Sequence, residues 1–169
     1  MNMHAMEATH TAGDASILQC LAFQVGSDVF ATEIHTVREI IQYAGITTVP
    51  QMPAFMRGVV NLRGAVVPVI DVRARFFGLT STVGKRTCII VMDALVDGER
   101  APLGLLVDAV TEVVAFKQQD IVLPPQFGSA IPRDFIRGMG KSGGVFVSVI
   151  QSERAFDIEE MAMLTEQVA

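Results

Sequence analysis

An internal duplication is the feature of this sequence that most constrains its fold. Residues 55–76, FMRGVVNLRGAVVPVIDVRARF, align without a gap with residues 135–156, FIRGMGKSGGVFVSVIQSERAF. Eight of the 22 aligned positions are identical, where unrelated segments would share roughly one or two. The sequence therefore predicts a chain built from two related halves.

Weaker echoes extend the duplication toward the start of each half. Residues 30–41 resemble residues 103–114, and Cys20 to Phe23 resemble Cys88 to Val91. This second alignment predicts equivalent positions for the two cysteines. Neither has another Cys or a His at metal-ligand spacing, so we expect buried structural thiols, no metal site and no cofactor.

Composition indicates a β-rich protein rather than a membrane or nucleic-acid-binding one. Half of the 169 residues are hydrophobic and the mean hydropathy is +0.43, yet no apolar run approaches the roughly 18 residues of a membrane helix. The 13 basic residues are outnumbered by 18 acidic ones, which disfavours nucleic acid as a partner. Residues 1–16 lack the pattern of a signal peptide and are expected to form a flexible tail on a cytoplasmic protein.

Turn signals between short apolar runs predict about five strands in each half. Hairpins are expected at Gly26 to Asp28, at Arg63-Gly64 and at Asp97-Gly98. Two halves of this size suit a pair of small barrels, the first over residues 17–86 and the second over residues 87–156. A terminal helix is predicted over residues 157–168, where Asp157 is suited to be its N-cap.

Two enzyme-like patterns occur in residues 140–144, GKSGG. The Gly-x-Ser-x-Gly spacing imitates a nucleophile elbow, but no His follows Ser142 to act as a base. Gly140-Lys141-Ser142 imitates the end of a phosphate-binding loop, but a strand rather than a helix is predicted to follow. We therefore expect a hairpin here, and a chain with no catalytic activity and no small-molecule substrate.

Residues 58–64, GVVNLRG, and 67–73, VPVIDVR, resemble the signature of the CheW chemotaxis coupling proteins. The resemblance extends over residues 17–165. It implies an all-β fold of two five-stranded SH3-like barrels side by side, with a short C-terminal helix. It also implies an adaptor that couples the cytoplasmic tip of chemoreceptors to the regulatory domain of the histidine kinase CheA in arrays at the inner face of the membrane, without inserting into it.

The resemblance also implies roles for individual residues. Positions associated with receptor binding are Val37, Glu39, Gly58, Arg63 and Val113, and the position associated with kinase binding is Gly104. Glu39 and Arg63 match a charged pair of the family that helps shape the receptor-facing surface, and Arg63 stands beside Gly64 at a hairpin tip, where its guanidinium can bind a neighbouring carboxylate through two hydrogen bonds. The alternative is an ordinary exposed ion pair with little effect on stability.

Two other functions stay open from the sequence. A coupling protein of a chemosensory-type system with another output, such as pili or development, would use the same binding chemistry. A general SH3-like peptide-binding module would need an aromatic groove, and the chain has one Tyr and no Trp.

Overall fold

The structure, a computed structural model, describes residues 16–96, 98–123 and 131–157, which form ten strands and two short helices. The strands are β1 (Ile17–Val25), β2 (Asp28–Glu33), β3 (Val37–Gln42), β4 (Met56–Leu62), β5 (Ala65–Asp71), β6 (Cys88–Val96), β7 (Glu99–Val107), β8 (Ala109–Lys117), β9 (Ile136–Ser142) and β10 (Val145–Ile150). The helices are α1 (Val72–Phe77) and α2 (Ser152–Ala155), and 3-10 turns occur at Ile34–Thr36, Gln118–Asp120 and Arg133–Phe135. The predicted tail and the predicted helix over residues 157–168 lie almost wholly outside the described residues.

The strands form two five-stranded sheets that each combine both halves of the sequence. The first sheet has the order β8-β1-β2-β10-β9 and the second has the order β3-β6-β7-β5-β4. Each sheet thus takes its hairpin β1–β2 or β6–β7 from one half and its other three strands from the other half. The predicted barrel boundaries, residues 17–86 and 87–156, are wrong in this respect, because local sequence signals specify a hairpin but not the strands beside which it packs.

Each sheet curls until a single bridge joins its two sides. In the second sheet Thr47, which follows β3, exchanges two backbone hydrogen bonds of 2.9 and 2.8 Å with Val59 of β4. In the first sheet Val122, which follows β8, exchanges two bonds of 3.0 and 2.7 Å with Met139 of β9. No longer ladder joins the edge strands among the described residues, so the sheets are SH3-like but not continuously closed. The predicted all-β class is confirmed.

The pairing of strands confirms the duplication residue by residue. Gly58 pairs with Val69 in the β4–β5 ladder, and Gly138 pairs with Val149 in the β9–β10 ladder. All pairs in the first ladder recur in the second after a shift of 80 residues, including the bulge where the register shifts. The two halves are therefore equivalent strand for strand, although their hairpins are exchanged between sheets.

The predicted equivalence of the two cysteines is wrong by one residue. Cys20 pairs with Glu33 and Ile89 pairs with Leu106 at the same place in the two central hairpins. Cys20 therefore corresponds to Ile89, and a one-residue shift in a strand moves a side chain to the opposite face. Cys20 packs inside the first sheet, whereas Cys88 packs between the two sheets.

The hydrophobic core has three parts. A central cluster between the two sheets includes Leu21, Phe23, Phe30, Ile70, Phe76, Ile90, Leu103, Leu105, Ile150 and Phe156. A smaller cluster around Val149 lies within the first sheet and another around Val69 lies within the second. The exchanged hairpins contribute to the central cluster with one face and to a smaller cluster with the other, which accounts for their nearly continuous apolar sequence.

A short helix, α1, forms directly after β5. The carboxylate of Asp71 accepts a hydrogen bond of 3.2 Å from the amide of Ala74 and caps α1. Gly78 ends the helix in the left-handed conformation, with φ of 71°. No helix among the described residues is long and apolar enough to cross a membrane.

Candidate functional site

The structure brings Glu39 and Arg63 together in a two-bond ion pair. Glu39 lies on the edge strand β3, and Arg63 lies at the tip of the β4–β5 hairpin with a φ of 53°. The guanidinium donates two hydrogen bonds, of 2.6 and 3.0 Å, to the two carboxylate oxygens. Because β3 and β4 are the two edges of the second sheet, the pair forms a clasp between them.

The clasp lies at the surface, and each of its two charged groups shifts the pKa of the other. The side chain of Arg63 is 74% exposed and that of Glu39 is 26% exposed. The hydrogen bonds from Arg63 lower the pKa of Glu39, and the same bonds raise the pKa of Arg63. The equivalent positions in the other half are Glu112 and Gly143, and no such pair can form there because glycine has no side chain.

Gly58 allows the segment that follows β3 to pack closely against β4. Its φ is 142°, and a Cβ added to it would lie 2.0 Å from the carbonyl oxygen of Thr47. Only glycine therefore allows Thr47 to approach β4 and form its bridge with Val59. Gly58 is buried, so its role is to set the path of the segment that carries Thr47, and it has no side chain with which to contact a partner.

Val37 and Val113 lie in different sheets and differ in exposure. Val37, at the start of β3, is half-buried and packs against the central cluster. Val113, on the edge strand β8 of the first sheet, is 59% exposed. Val113 is therefore available to a partner as it stands, whereas Val37 also has a packing role.

Gly104 lies in the interior of the second sheet. It is buried in β7 between β6 and β5, and an added Cβ would lie 2.8 Å from Cγ2 of Ile89 and 3.2 Å from Cγ2 of Val69. Gly104 therefore does not offer a contact surface. Any effect that it has on kinase binding has to act through the packing of these strands.

A buried polar network beside the signature was not anticipated from the sequence. The fully buried carboxylate of Asp71 accepts hydrogen bonds from Arg57 (3.1 Å), from the amide of Ser81 (2.8 Å) and from the hydroxyl of Ser81 (2.7 Å). This network fixes the connection between the two halves against β5. Arg57 and Asp71 are visible in the signature, but nothing in the sequence links Ser81 to them.

Apolar side chains at the surface provide further area for protein contacts. Val66 and Phe146, at equivalent positions of the two hairpins β4–β5 and β9–β10, are 66% and 58% exposed. Among the described residues, the other large exposed apolar side chains are Ile17, Ile40, Leu79, Val83, Leu95, Val113, Val122, Leu123 and Val145.

The enzyme-like pattern at residues 140–144 is a hairpin, as predicted. Ser142 ends β9, Gly143 and Gly144 form the turn, and β10 follows directly. The ammonium group of Lys141 lies 5.6 Å from the ring centre of Phe146. Within the described residues, no cluster of His, Cys, Asp or Glu is suited to hold a metal ion.

Paired SH3-like sheets with a clasped edge and exposed apolar strands define a protein-binding scaffold. Residues 19–160 match the family model of the CheW-like domain, and the chain belongs to this family. It is 30% identical to the chemotaxis protein CheW of Klebsiella aerogenes over 90% of both chains. It is 34% identical to CheW of Rhizobium meliloti, covering 84% of this chain and 89% of the relative.

A solved structure shares the same architecture. The scaffolding protein TtCheW from Thermoanaerobacter tengcongensis superposes with a TM-score of 0.74 at 30% identity, over 83% of this chain and 88% of that one.

Proposed function

We propose that this protein is a cytoplasmic, non-catalytic adaptor that couples chemoreceptors to the histidine kinase CheA in a signalling array. The clasp between Glu39 and Arg63 carries the proposal, because it occurs at the two positions that the family resemblance associates with the receptor-facing surface. The solved relative named a scaffolding protein supports the non-catalytic part.

The clasp side of the second sheet is the proposed receptor-facing surface. The two hydrogen bonds fix the side chains of Glu39 and Arg63 before a partner arrives. A surface that is already ordered loses less conformational entropy on binding than a mobile one. Ile40, which follows Glu39 on β3 and is 44% exposed, adds apolar area next to it.

The proposed dependence of kinase binding on Gly104 is indirect. Gly104 allows β7 to pack closely against Ile89 and Val69. A larger residue would separate β7 from its neighbours β5 and β6, and this shift would reach the exposed tip of the β4–β5 hairpin, where Val66 is 66% exposed and a partner can bind. Val113, which is exposed on the edge strand β8 of the first sheet, is a further proposed receptor contact.

A double-mutant cycle on receptor affinity tests the proposal. Arg63→Ala, Glu39→Ala and the double variant are compared for binding to a purified receptor signalling tip, with unfolding measured in parallel. We expect either single change to weaken binding and the second change to add little, because each removes the same clasp. Kinase binding is expected to be retained.

Arg100→Ala is the matched control. Arg100 is 78% exposed and forms a 3.5 Å ion pair with Asp93 at another surface site, so its loss is expected to leave receptor binding unchanged. Additive losses at Glu39 and Arg63, or an equal loss in Arg100→Ala, would contradict the assignment of the clasp. Binding to isolated proline-rich peptides but not to receptor would favour a general peptide-binding module.

A further inference from the structure

One arginine lies between equivalent aromatic rings of the two halves. The guanidinium carbon of Arg75, on α1, is 4.9 Å from the ring centre of Phe55 and 4.8 Å from that of Phe135. These two phenylalanines are related by the 80-residue shift of the duplication. A cation at these distances is attracted by both aromatic faces.

The same arginine also binds its own counterpart in the second half. Nε of Arg75 donates a 3.0 Å hydrogen bond to the backbone carbonyl of Ala155, which is the residue equivalent to Arg75 after the shift. The halves thus differ at this position: one contributes a long cationic side chain, and the other contributes a buried alanine.

Each phenylalanine is tied by its backbone to one hairpin. The carbonyl of Phe55 accepts a 2.7 Å hydrogen bond from the amide of Asp71 at the end of β5, and the carbonyl of Phe135 accepts a 2.7 Å bond from the amide of Gln151 directly after β10. Arg75 therefore contacts the starts of both β4 and β9, which belong to different sheets.

We propose that Arg75 is a positioning residue that holds the turns ahead of β4 and β9 in one fixed relation, so that the two sheets present their surfaces as a unit. The central cluster packs the sheets together through apolar contacts, which have no preferred direction. Arg75 adds directional contacts at the rim, where Phe55 is only half-buried. The consequence for coupling rests on the adaptor function proposed above.

Residue-resolved hydrogen exchange in Arg75→Met tests the structural part. Methionine fills much of the space between the rings but cannot donate a hydrogen bond or carry charge. We expect the amides of both Asp71 and Gln151 to exchange about tenfold faster through local opening, with amides of the central strands unchanged. Arg154→Ala, which removes an exposed arginine on α2, is expected to change neither amide.

Exchange that accelerates at one of the two amides, or at neither, would overturn the proposal. If Arg75→Met does not fold, Arg75→Lys decides, because lysine keeps the charge but loses the planar stacking. In Arg75→Lys we expect both amides to exchange faster than in the wild type, but by less than about tenfold. Exchange at the wild-type rate in this variant would overturn the proposal.

The coupling consequence has its own readout. We expect Arg75→Met to bind receptor tip and kinase separately with wild-type affinity, but to recruit kinase to receptor about tenfold less well because the two surfaces are no longer preorganised. Wild-type recruitment by this variant would overturn the coupling role of Arg75. A wild-type chain that binds neither partner would instead refute the adaptor function, and the exchange result would still decide the structural part.

Discussion

Replacement of Gly58 by alanine is expected to open one side of the second sheet. The new Cβ would lie 2.0 Å from the carbonyl oxygen of Thr47, a separation that two non-bonded atoms cannot adopt. Because the obstacle is backbone, the segment carrying Thr47 has to move, which breaks both of its hydrogen bonds to Val59.

The size of the effect follows from these losses. Each of the two hydrogen bonds contributes about 1 kcal/mol. A non-glycine residue held at a φ of 142° costs a further 1 to 3 kcal/mol, roughly. Gly58→Ala is therefore expected to lower the free energy of unfolding by about 3 to 5 kcal/mol.

Gly138→Ala is the matched control, because Gly138 is the equivalent residue of the other half. Its added Cβ would meet Cγ2 of Ile121 at 2.3 Å and the carbonyl oxygen of Val122 at 3.1 Å. The closest obstacle is a side-chain methyl rather than backbone, and Gly138 does not have the positive φ of Gly58, so the expected cost is about 1 to 3 kcal/mol. Urea unfolding measures both variants. Equal costs in the two variants, or a Gly58→Ala variant as stable as the wild type, would show that the carbonyl of Thr47 does not exclude a Cβ at Gly58.

Three further predictions concern Cys20 and the predicted site residues. Burial raises the pKa of Cys20 from 9.0 to about 11, so its thiol should react with Ellman's reagent much more slowly in the folded than in the urea-unfolded protein. The stability contributed by this neutral thiol is present below pH 9.0 and should be lost as pH rises toward 11. Val37→Asp should lower the free energy of unfolding by about 2 kcal/mol or more, because it places a charge against the central cluster. Val113→Asp should change the free energy of unfolding by less than about 0.5 kcal/mol and still weaken receptor binding. Thermal unfolding and a receptor pull-down distinguish the two variants. Gly104→Ala should cost about 1 to 3 kcal/mol by overpacking against the Cγ2 methyls of Ile89 and Val69, and it should weaken kinase binding in a pull-down.

The duplicated hairpins could be predicted from the sequence because their information is local. Residues 55–76 and 135–156 carry the same turn glycines and the same alternation, and these features determine the pairing within each hairpin. The ion pair between Glu39 and Arg63 was also anticipated, from the family resemblance together with the position of Arg63 beside a turn glycine.

The exchange of hairpins between the sheets could not be predicted in the same way. The runs around Phe23 and Ile90 are apolar on both faces, so the alternation that reveals which face packs against which partner is missing. The same lack of alternation caused the one-residue error at Cys20 and Cys88. The family resemblance associated Gly104 with kinase binding, but the sequence did not predict that Gly104 is buried. A single glycine in a strand does not show whether it is buried or exposed.

Cosedimentation of CheA with receptor-containing membranes tests whether this protein couples the kinase to receptors. Kinase and membranes are mixed with and without this protein, and with Arg63→Ala at the same concentration. We expect the wild-type chain to carry kinase into the pellet and kinase to sediment poorly without it. We expect Arg63→Ala to bind kinase in solution but to bring less of it to the membranes. Kinase that sediments equally well in the presence and absence of the wild-type chain would show that this protein does not couple the kinase to receptors.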